Sequence, residues 1–194
     1  IASILSAYDD LMENNTRRIQ ILEEMAQRIY KEWFVDFKYP GHENDKLVDS
    51  ELGMIPEGWG INKFNHYIDE IIDNRGKTPP LSDKGHELIE VNALVGKNKI
   101  VNFDVIKKYV NQETYDTWFR KGHPKINDIL ISTVGSIGEI CLLEQNRGCI
   151  AQNVIALRVN NLIDSNFLYY SMVHPKLKNR ILSLNQGVAQ PSIR

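Results

Sequence analysis

The chain has 194 residues, 42% of them hydrophobic and 25% charged, which suits one globular domain with a real core plus an extended element. No apolar run is long enough to span a bilayer and no charged-then-apolar leader pattern is visible, so membrane classes are set aside and a soluble, cytoplasmic protein is expected. A net charge of −2 excludes a uniformly basic nucleic-acid binder, and two cysteines, Cys141 and Cys149, are too few and too far apart for a disulfide framework or a zinc site and are expected as buried thiols.

The charge is unevenly spread. Residues 1–60 carry 6 Lys/Arg and 12 Asp/Glu, a balance of −6, whereas residues 61–194 carry 17 Lys/Arg and 13 Asp/Glu, a balance of +4. The second part is therefore the better place for a phosphate-facing surface, provided that its charges cluster on one face.

From Ile1 to about Trp33 one helical periodicity runs without Pro or Gly. Ile1, Leu5, Tyr8, Met12, Ile19, Leu22, Ala26, Ile29 and Trp33 recur at three-and-four spacing, a seam along one face. Asn14, Asn15, Arg17 and Arg18 interrupt it, as polar residues do where they set register or partner choice. Glu13 with Arg17 and Glu24 with Arg28 sit four apart on solvated flanks. A spacer helix over residues 1–37 is expected to pair with a second helix, antiparallel, through Leu5, Met12, Ile19, Leu22 and Ile29. Tyr30, Trp33, Phe34 and Phe37 place aromatic mass at its far end, where docking is expected. Residues 38–58 then lose all period and become rich in Pro, Gly and acids, which predicts a linker ending in an ordered turn at Ile55-Pro56-Glu57-Gly58-Trp59.

Residues 59–194 predict an α+β domain. Phe64–Ile72 reads as a strand or short helix, followed by a loop at Asp73–Pro80. Glu87–Val91 and Lys99–Phe103 read as short strands, and Asn111–Arg120 as a helix with Tyr115, Trp118 and Phe119 turned inward. Asp128–Val134, Gly138–Leu143 and Cys149–Val159 are the clearest strands, β-branched and bounded by Gly, with the first two an antiparallel pair about Gly135-Ser136-Ile137-Gly138. Ser165–Val173 and Pro175–Leu184 read as helices, the first packing Phe167, Leu168, Tyr170 and Met172. The chain opens on Ile inside a helical pattern and stops at GVAQPSIR without a stop signal, so a piece of a longer protein is expected.

No catalytic constellation survives inspection. Ser136 has Val134 where a nucleophile elbow needs Gly, and a strand follows it rather than a helix. His123 lies between Gly122 and Pro124 in a loop. The histidines show no pair at metal-ligand spacing. Gly76-Lys77-Thr78 lacks the upstream Gly and following helix of a phosphate loop, and GSIG is no dinucleotide fingerprint. Polar residues gather instead at strand ends: Asn74, Arg75, Lys77 and Thr78; Asn92, Lys97 and Asn98; Ser132 and Ser136; Gln152 and Asn153; Gln190 and Ser192. Arg, Lys, Asn and Gln can read base edges, while Ser and Thr suit phosphates. The same residue types also serve as ordinary solvated loop polarity. The site expected is Asn74, Arg75, Lys77, Thr78, Lys97, Asn98, Ser132, Ser136, Gln152 and Gln190, with Arg75 reading guanine and Lys97 and Lys99 holding phosphates.

The segments ENNTRRIQILEEMAQRIYKEWFVDF, ELGMIPEGW, DILISTVGSIG, CIAQNVIALR, NFLYYSM and GVAQPSI, in this order, resemble the specificity subunit of type I restriction–modification systems over nearly the whole chain. Asn127 stands where many relatives have Gly before Asp-Ile-Leu, and Asn tolerates the same turn geometry. The resemblance implies one spacer helix followed by one target recognition domain, reading half of a bipartite site in double-stranded DNA. It implies a non-catalytic subunit whose modification partners methylate adenine with S-adenosylmethionine and whose restriction partners cut, so that no cofactor is expected on this chain. It also implies a second helix after GVAQPSI, without which self-association through the first is expected. The competing reading is a coiled-coil interaction or scaffold protein with no DNA-reading role.

Overall fold

The computed structural model describes residues 2–96 and 99–184. The chain divides into two compact units, Ile1–Ile61 and Asn62–Arg194.

In the first unit, α1 (Ala2–Tyr30) is an unbroken helix of 29 residues, ~44 Å long at ~1.5 Å per residue. Leu5, Met12, Ile19, Leu22 and Ile29 are all exposed, at 59, 61, 66, 62 and 42%. Arg28 pairs forward with Glu32 at 2.9 Å. The helix passes into a π-turn over Lys31–Val35, where Asp36 N–H reaches back to the Lys31 carbonyl and the Lys31 and Asp36 side chains pair. Phe37, at a φ of 57°, ends it. The wider turn fans the aromatic side chains out, and Trp59 fills the space among them: its ring lies 6.0 Å from Phe34, 5.4 Å from Phe37 edge-on, and 5.6 Å from Tyr39 in a stack. The linker does end in a turn, with Trp59 N–H on the Pro56 carbonyl at 3.0 Å, and is ordered further upstream than periodicity alone suggests. It carries a one-turn helix at His42–Asn44 and a short antiparallel pair, β1 (Leu47–Val48) with β2 (Ile55–Pro56).

The second unit is α+β. Its centre is a four-stranded antiparallel sheet in the order β3 (Ile68–Ile72), β9 (Val154–Val159), β6 (Ile129–Ser132), β7 (Ile140–Leu142). Alternation along the strands gives the sheet two buried faces. One face, Ile129, Ile131, Ile140, Leu142 and Leu157, packs on α3 (Ser165–Val173) and α4 (Pro175–Ser183) through Leu168, Tyr169, Met172, Leu177 and Ile181. The other, Ile72, Leu130, Cys141, Val154 and Ala156, packs on a three-stranded layer of order β5 (Tyr109–Val110), β4 (His86–Ile89), β8 (Cys149–Ile150). A smaller cluster of Leu88, Val110, Phe119 and Cys149 sits with Tyr115 of α2 (Gln112–Trp118). Burial pushes both thiols up to about 12, which leaves Cys141 and Cys149 inert.

Side-chain caps start the helices. Asn111 Oδ1 accepts Thr114 N–H at 2.8 Å for α2, and Asp164 Oδ1 accepts Asn166 and Phe167 N–H at 2.8 and 3.2 Å for α3. Several expectations change. Cys149–Val159 is two strands in two sheets, broken by a turn at Gln152-Asn153. Lys99–Phe103 makes only a bridge, Ile100 to Leu142, before a short 3-10 turn. Trp118 is 37% exposed rather than inward, and Tyr169 rather than Tyr170 is the deeply buried tyrosine of α3. Asn127 has a φ of 70°, the left-handed geometry that a Gly or Asn supplies most easily.

Candidate nucleic-acid interface

The antiparallel order puts the ends of β3 and β6 and the starts of β9 and β7 at one edge of the central sheet. Three connections emerge there: the loop after Ile72, the turn that leads into Val154, and the hairpin from Ser132 to Ile140. Seven of the residues expected from sequence to form the site therefore come from neighbouring strand ends: Asn74, Arg75, Lys77, Thr78, Ser132, Ser136 and Gln152. Gln152 Nε2 donates to Thr78 Oγ1 at 3.0 Å, which ties two of these connections together across 74 residues of sequence.

Their roles differ. The Arg75 guanidinium is held by Asp73, with Nε 2.9 Å from Oδ1 and Nη2 2.6 Å from Oδ2, and the Arg75 N–H also donates to Oδ1. Those hydrogen bonds, outweighing partial burial, hold the Asp73 carboxyl below its usual range, and the charge of Lys121 adds to the effect. Arg75 thus reaches a base only by giving up a pair, whereas Lys77 and Thr78 are exposed. Asn74 is a loop brace: its Nδ2 donates to the Gly122 carbonyl at 2.9 Å and its Oδ1 accepts Lys121 N–H at 3.0 Å. Ser132 is fully buried, its hydroxyl donating to the Ser136 carbonyl and accepting Glu139 N–H at 2.9 Å, so it fixes the hairpin from within while Ser136 stays exposed at the tip. Thr133 is buried too and hydrogen-bonds the Asn153 carbonyl through its N–H at 2.9 Å. Lys99 lies over the Tyr170 ring, 5.1 Å from its centre. Lys97, Asn98 and Gln190 fall outside the described residues.

The opposite edge of the sheet is built otherwise. A cavity of about 800 Å³ is lined there by Tyr115, His123, Lys125, Asp128, Arg158 and Asp164, among others. Of its charges, Arg158 pairs with buried Asp128 at 2.8 Å and also with Glu70. His123 stacks on Tyr115, which stacks on His86, at ring separations of 3.6 and 3.8 Å. Sequence reading missed this stack, because a strand residue, a helix residue and a loop residue far apart in sequence carry no shared pattern. Among the described residues, no group of three or more His, Cys, Asp or Glu is placed to hold a metal ion, and no helix is long and apolar enough to cross a membrane.

Comparison with known families matches residues 96–194, just over half of the chain, to the type I restriction modification DNA specificity domain. The chain belongs to this family. The matched span holds the hairpin, the Gln152 turn, β9, α3 and α4. Two specificity-domain relatives from Methanocaldococcus jannaschii align over most or all of the chain. The type I restriction enzyme MjaVIII specificity subunit is 26% identical over 204 aligned residues, covering 100% of this chain and 46% of the relative. The putative MjaX specificity subunit is 28% identical over 182, covering 92% and 40%. The MjaIX specificity subunit is 39% identical over a shorter stretch of 69 residues, 35% of this chain and 16% of the relative. The chain thus spans less than half the length of the curated relatives it matches. Among solved structures, the HsdS subunit from Thermoanaerobacter tengcongensis superposes with a TM-score of 0.51 at 17% identity, over 95% of this chain and 44% of that one, and shares its fold: a long helix followed by a mixed sheet-and-helix domain.

Proposed function

We propose that the unit from Asn62 onward reads one half of a bipartite DNA target, as part of a type I restriction–modification specificity subunit. Methylation of adenine and cleavage then belong to partner subunits, with S-adenosylmethionine bound by the modification partner and not by this chain. The observation that carries the reading is the family match, because the span it covers supplies two of the three connections at the loop-bearing edge of the sheet. In this reading Lys77, Thr78 and Gln152 face base edges, Ser136 faces a phosphate, and Asn74, Asp73 and Ser132 hold the loops in shape. Arg75 is a conditional reader that must exchange Asp73 for a guanine, a swap that favours only a well-placed bidentate contact. In this reading the chain does no chemistry on DNA itself: among the described residues the edge carries amides, hydroxyls, cations and two carboxylates, Asp73 held by Arg75 and Glu139 in the hairpin, and no nucleophile–base pair.

A mobility-shift titration against competitor duplex at several salt concentrations tests it. Binding that weakens steeply with salt is expected, because each phosphate neutralised adds about 0.9 to the logarithmic salt slope. A chain that binds no DNA but self-associates would leave the coiled-coil scaffold reading in its place.

A further inference from the structure

Two connections meet at the end of β3. Asn74, next to Asp73, donates through Nδ2 to the Gly122 carbonyl at 2.9 Å and accepts Lys121 N–H on Oδ1 at 3.0 Å, so one amide ties the turn after α2 to the loop that carries Arg75. That turn is also anchored without the tie. Phe119 before it is buried beside Leu88, Val110 and Cys149. Gly122, at a φ of +69°, closes it with an N–H on the Phe119 carbonyl at 2.9 Å. His123 after it stacks on Tyr115, and its carbonyl accepts Arg158 Nη2 at 3.3 Å. Lys121 is therefore an exposed side chain on a fixed base, one hydrogen bond away from the neighbour of Asp73.

Asp73 thus stands between two cations. Hydrogen bonds from Arg75 do most to hold its carboxyl below the usual range, and the charge of Lys121 adds to them. Lys121 makes no ion pair among the described residues, which it shares with other exposed lysines of this unit. What sets it apart is its place beside Asp73. The Asp73 side chain is 29% exposed, so losing the Arg75 guanidinium would leave a carboxylate poorly solvated, and that cost holds Arg75 back from a base. Two features of the loop lower it. The Arg75 N–H donates to Asp73 Oδ1 from the backbone and stays in place when the side chain turns away. A second cation beside the carboxylate keeps its ionised form favourable.

We infer that Lys121 is the standby counter-ion of Asp73: when Arg75 turns from Asp73 to a guanine, the Lys121 ammonium takes its place on the carboxylate, which makes Lys121 a positioning residue for base readout by Arg75. This rests on the DNA-reading assignment above. The division of labour suits the two side chains. The planar guanidinium fork matches the paired acceptors of guanine, whereas a compact ammonium on a flexible stem can neutralise a carboxylate from several directions.

The test measures binding of the 194-residue chain and its variants to a selected duplex and to single-base-pair substitutions of it, across a salt series. Arg75→Ala identifies the base pair that Arg75 reads, as the position at which preference is lost. Lys121→Gln is expected to lower discrimination at that position alone, by about threefold to tenfold out of the roughly 5- to 150-fold that one bidentate pair supplies, with the salt slope near that of the wild type. Lys121→Arg, which keeps the charge, should retain wild-type discrimination. In an Asp73→Asn background, where the amide oxygen still accepts the Arg75 N–H but no carboxylate needs a counter-ion, Lys121→Gln should cause no further loss. Unchanged thermal unfolding midpoints verify the folds. Equal weakening on every duplex with a salt slope lower by about one would overturn the inference and make Lys121 a phosphate contact. Wild-type discrimination in Lys121→Gln, an equal loss in the Asp73→Asn background, or no position at which Arg75→Ala loses preference would also overturn it, with DNA reading left intact. Absence of any sequence preference in the wild-type chain removes both readings together.

Discussion

Arg158 closes on both oxygens of Asp128, Nε to Oδ1 at 3.1 Å and Nη2 to Oδ2 at 2.8 Å, and so clamps the end of β9 to the start of β6. Asp128 is 2% exposed and receives one further hydrogen bond, from Lys125 N–H at 2.7 Å. Removing one partner leaves the other charge poorly solvated, at a cost of about 3 kcal/mol. Asp128→Ala and Arg158→Ala should each lower stability by about that much in urea unfolding. The double variant should lose clearly less than the sum, because no orphan charge remains. Additive losses would show that the pair is not coupled.

Two glycines set backbone strain alone beside strain joined to a backbone clash, since both have a positive φ, +76° at Gly138 and +136° at Gly85. At Gly138, with a φ of +76°, an added methyl meets only the mobile end of Leu182, so the left-handed backbone sets the cost, about 1–2 kcal/mol. That loss should persist in a Leu182→Ala background. At Gly85 the methyl would lie 2.2 Å from the Val110 carbonyl oxygen, which is backbone and cannot step aside. Gly85→Ala should therefore cost more than Gly138→Ala, as measured by thermal unfolding of the two variants.

His123 gives the fold an acid-side weakness. Its Nε2 lies 2.9 Å from the Tyr115 carbonyl, which makes Nε2 the donor and the neutral ring the fitting form, while the buried Nδ1 has no hydrogen-bond partner among the described residues. Burial pushes the imidazole below its ordinary value, and the nearby His86 adds to this against the Tyr115 carbonyl and Asp116. A histidine that binds its proton less well folded than unfolded contributes fully above the unfolded value of about 6.5 and loses that contribution as pH falls below it. Stability should thus decline from about pH 6.5 downward, and His123→Gln should flatten that part of the profile. An equal slope in the variant would place the acid sensitivity elsewhere.

The antiparallel hairpin, α3 and α4 were legible because β-branched runs bounded by Gly, and the Asp164 cap before an apolar stretch, are local signals. The break in Cys149–Val159 was not. Gln152 and Asn153 look like polar interruptions of one strand until Ile150 is seen pairing in parallel with Ile89, a contact 61 residues away in sequence. The candidate site was legible as a set of residue types but not as roles. Arg75 reads as a free donor in sequence, yet Asp73, two residues back, occupies it once the loop folds. Ser132 reads as a surface hydroxyl, yet the hairpin closes over it.

The exposed seam of α1 predicts self-association. Sedimentation of the 194-residue chain should show a concentration-dependent dimer, and Ile19→Glu/Leu22→Glu should abolish it, since burying two carboxylates in an apolar seam is strongly unfavourable. The unfolding midpoint of the unit from Asn62 onward should not change. A chain that stays monomeric at high concentration contradicts the pairing.

The claim that this chain reads sequence is tested most directly by selection from a random duplex library. The 194-residue chain, immobilised and washed at moderate salt, should enrich one short continuous motif, and Gln152→Ala should relax it at one or two positions while leaving the salt slope near that of the wild type. Recovery of an unenriched library at every salt concentration at which DNA is retained would contradict the account.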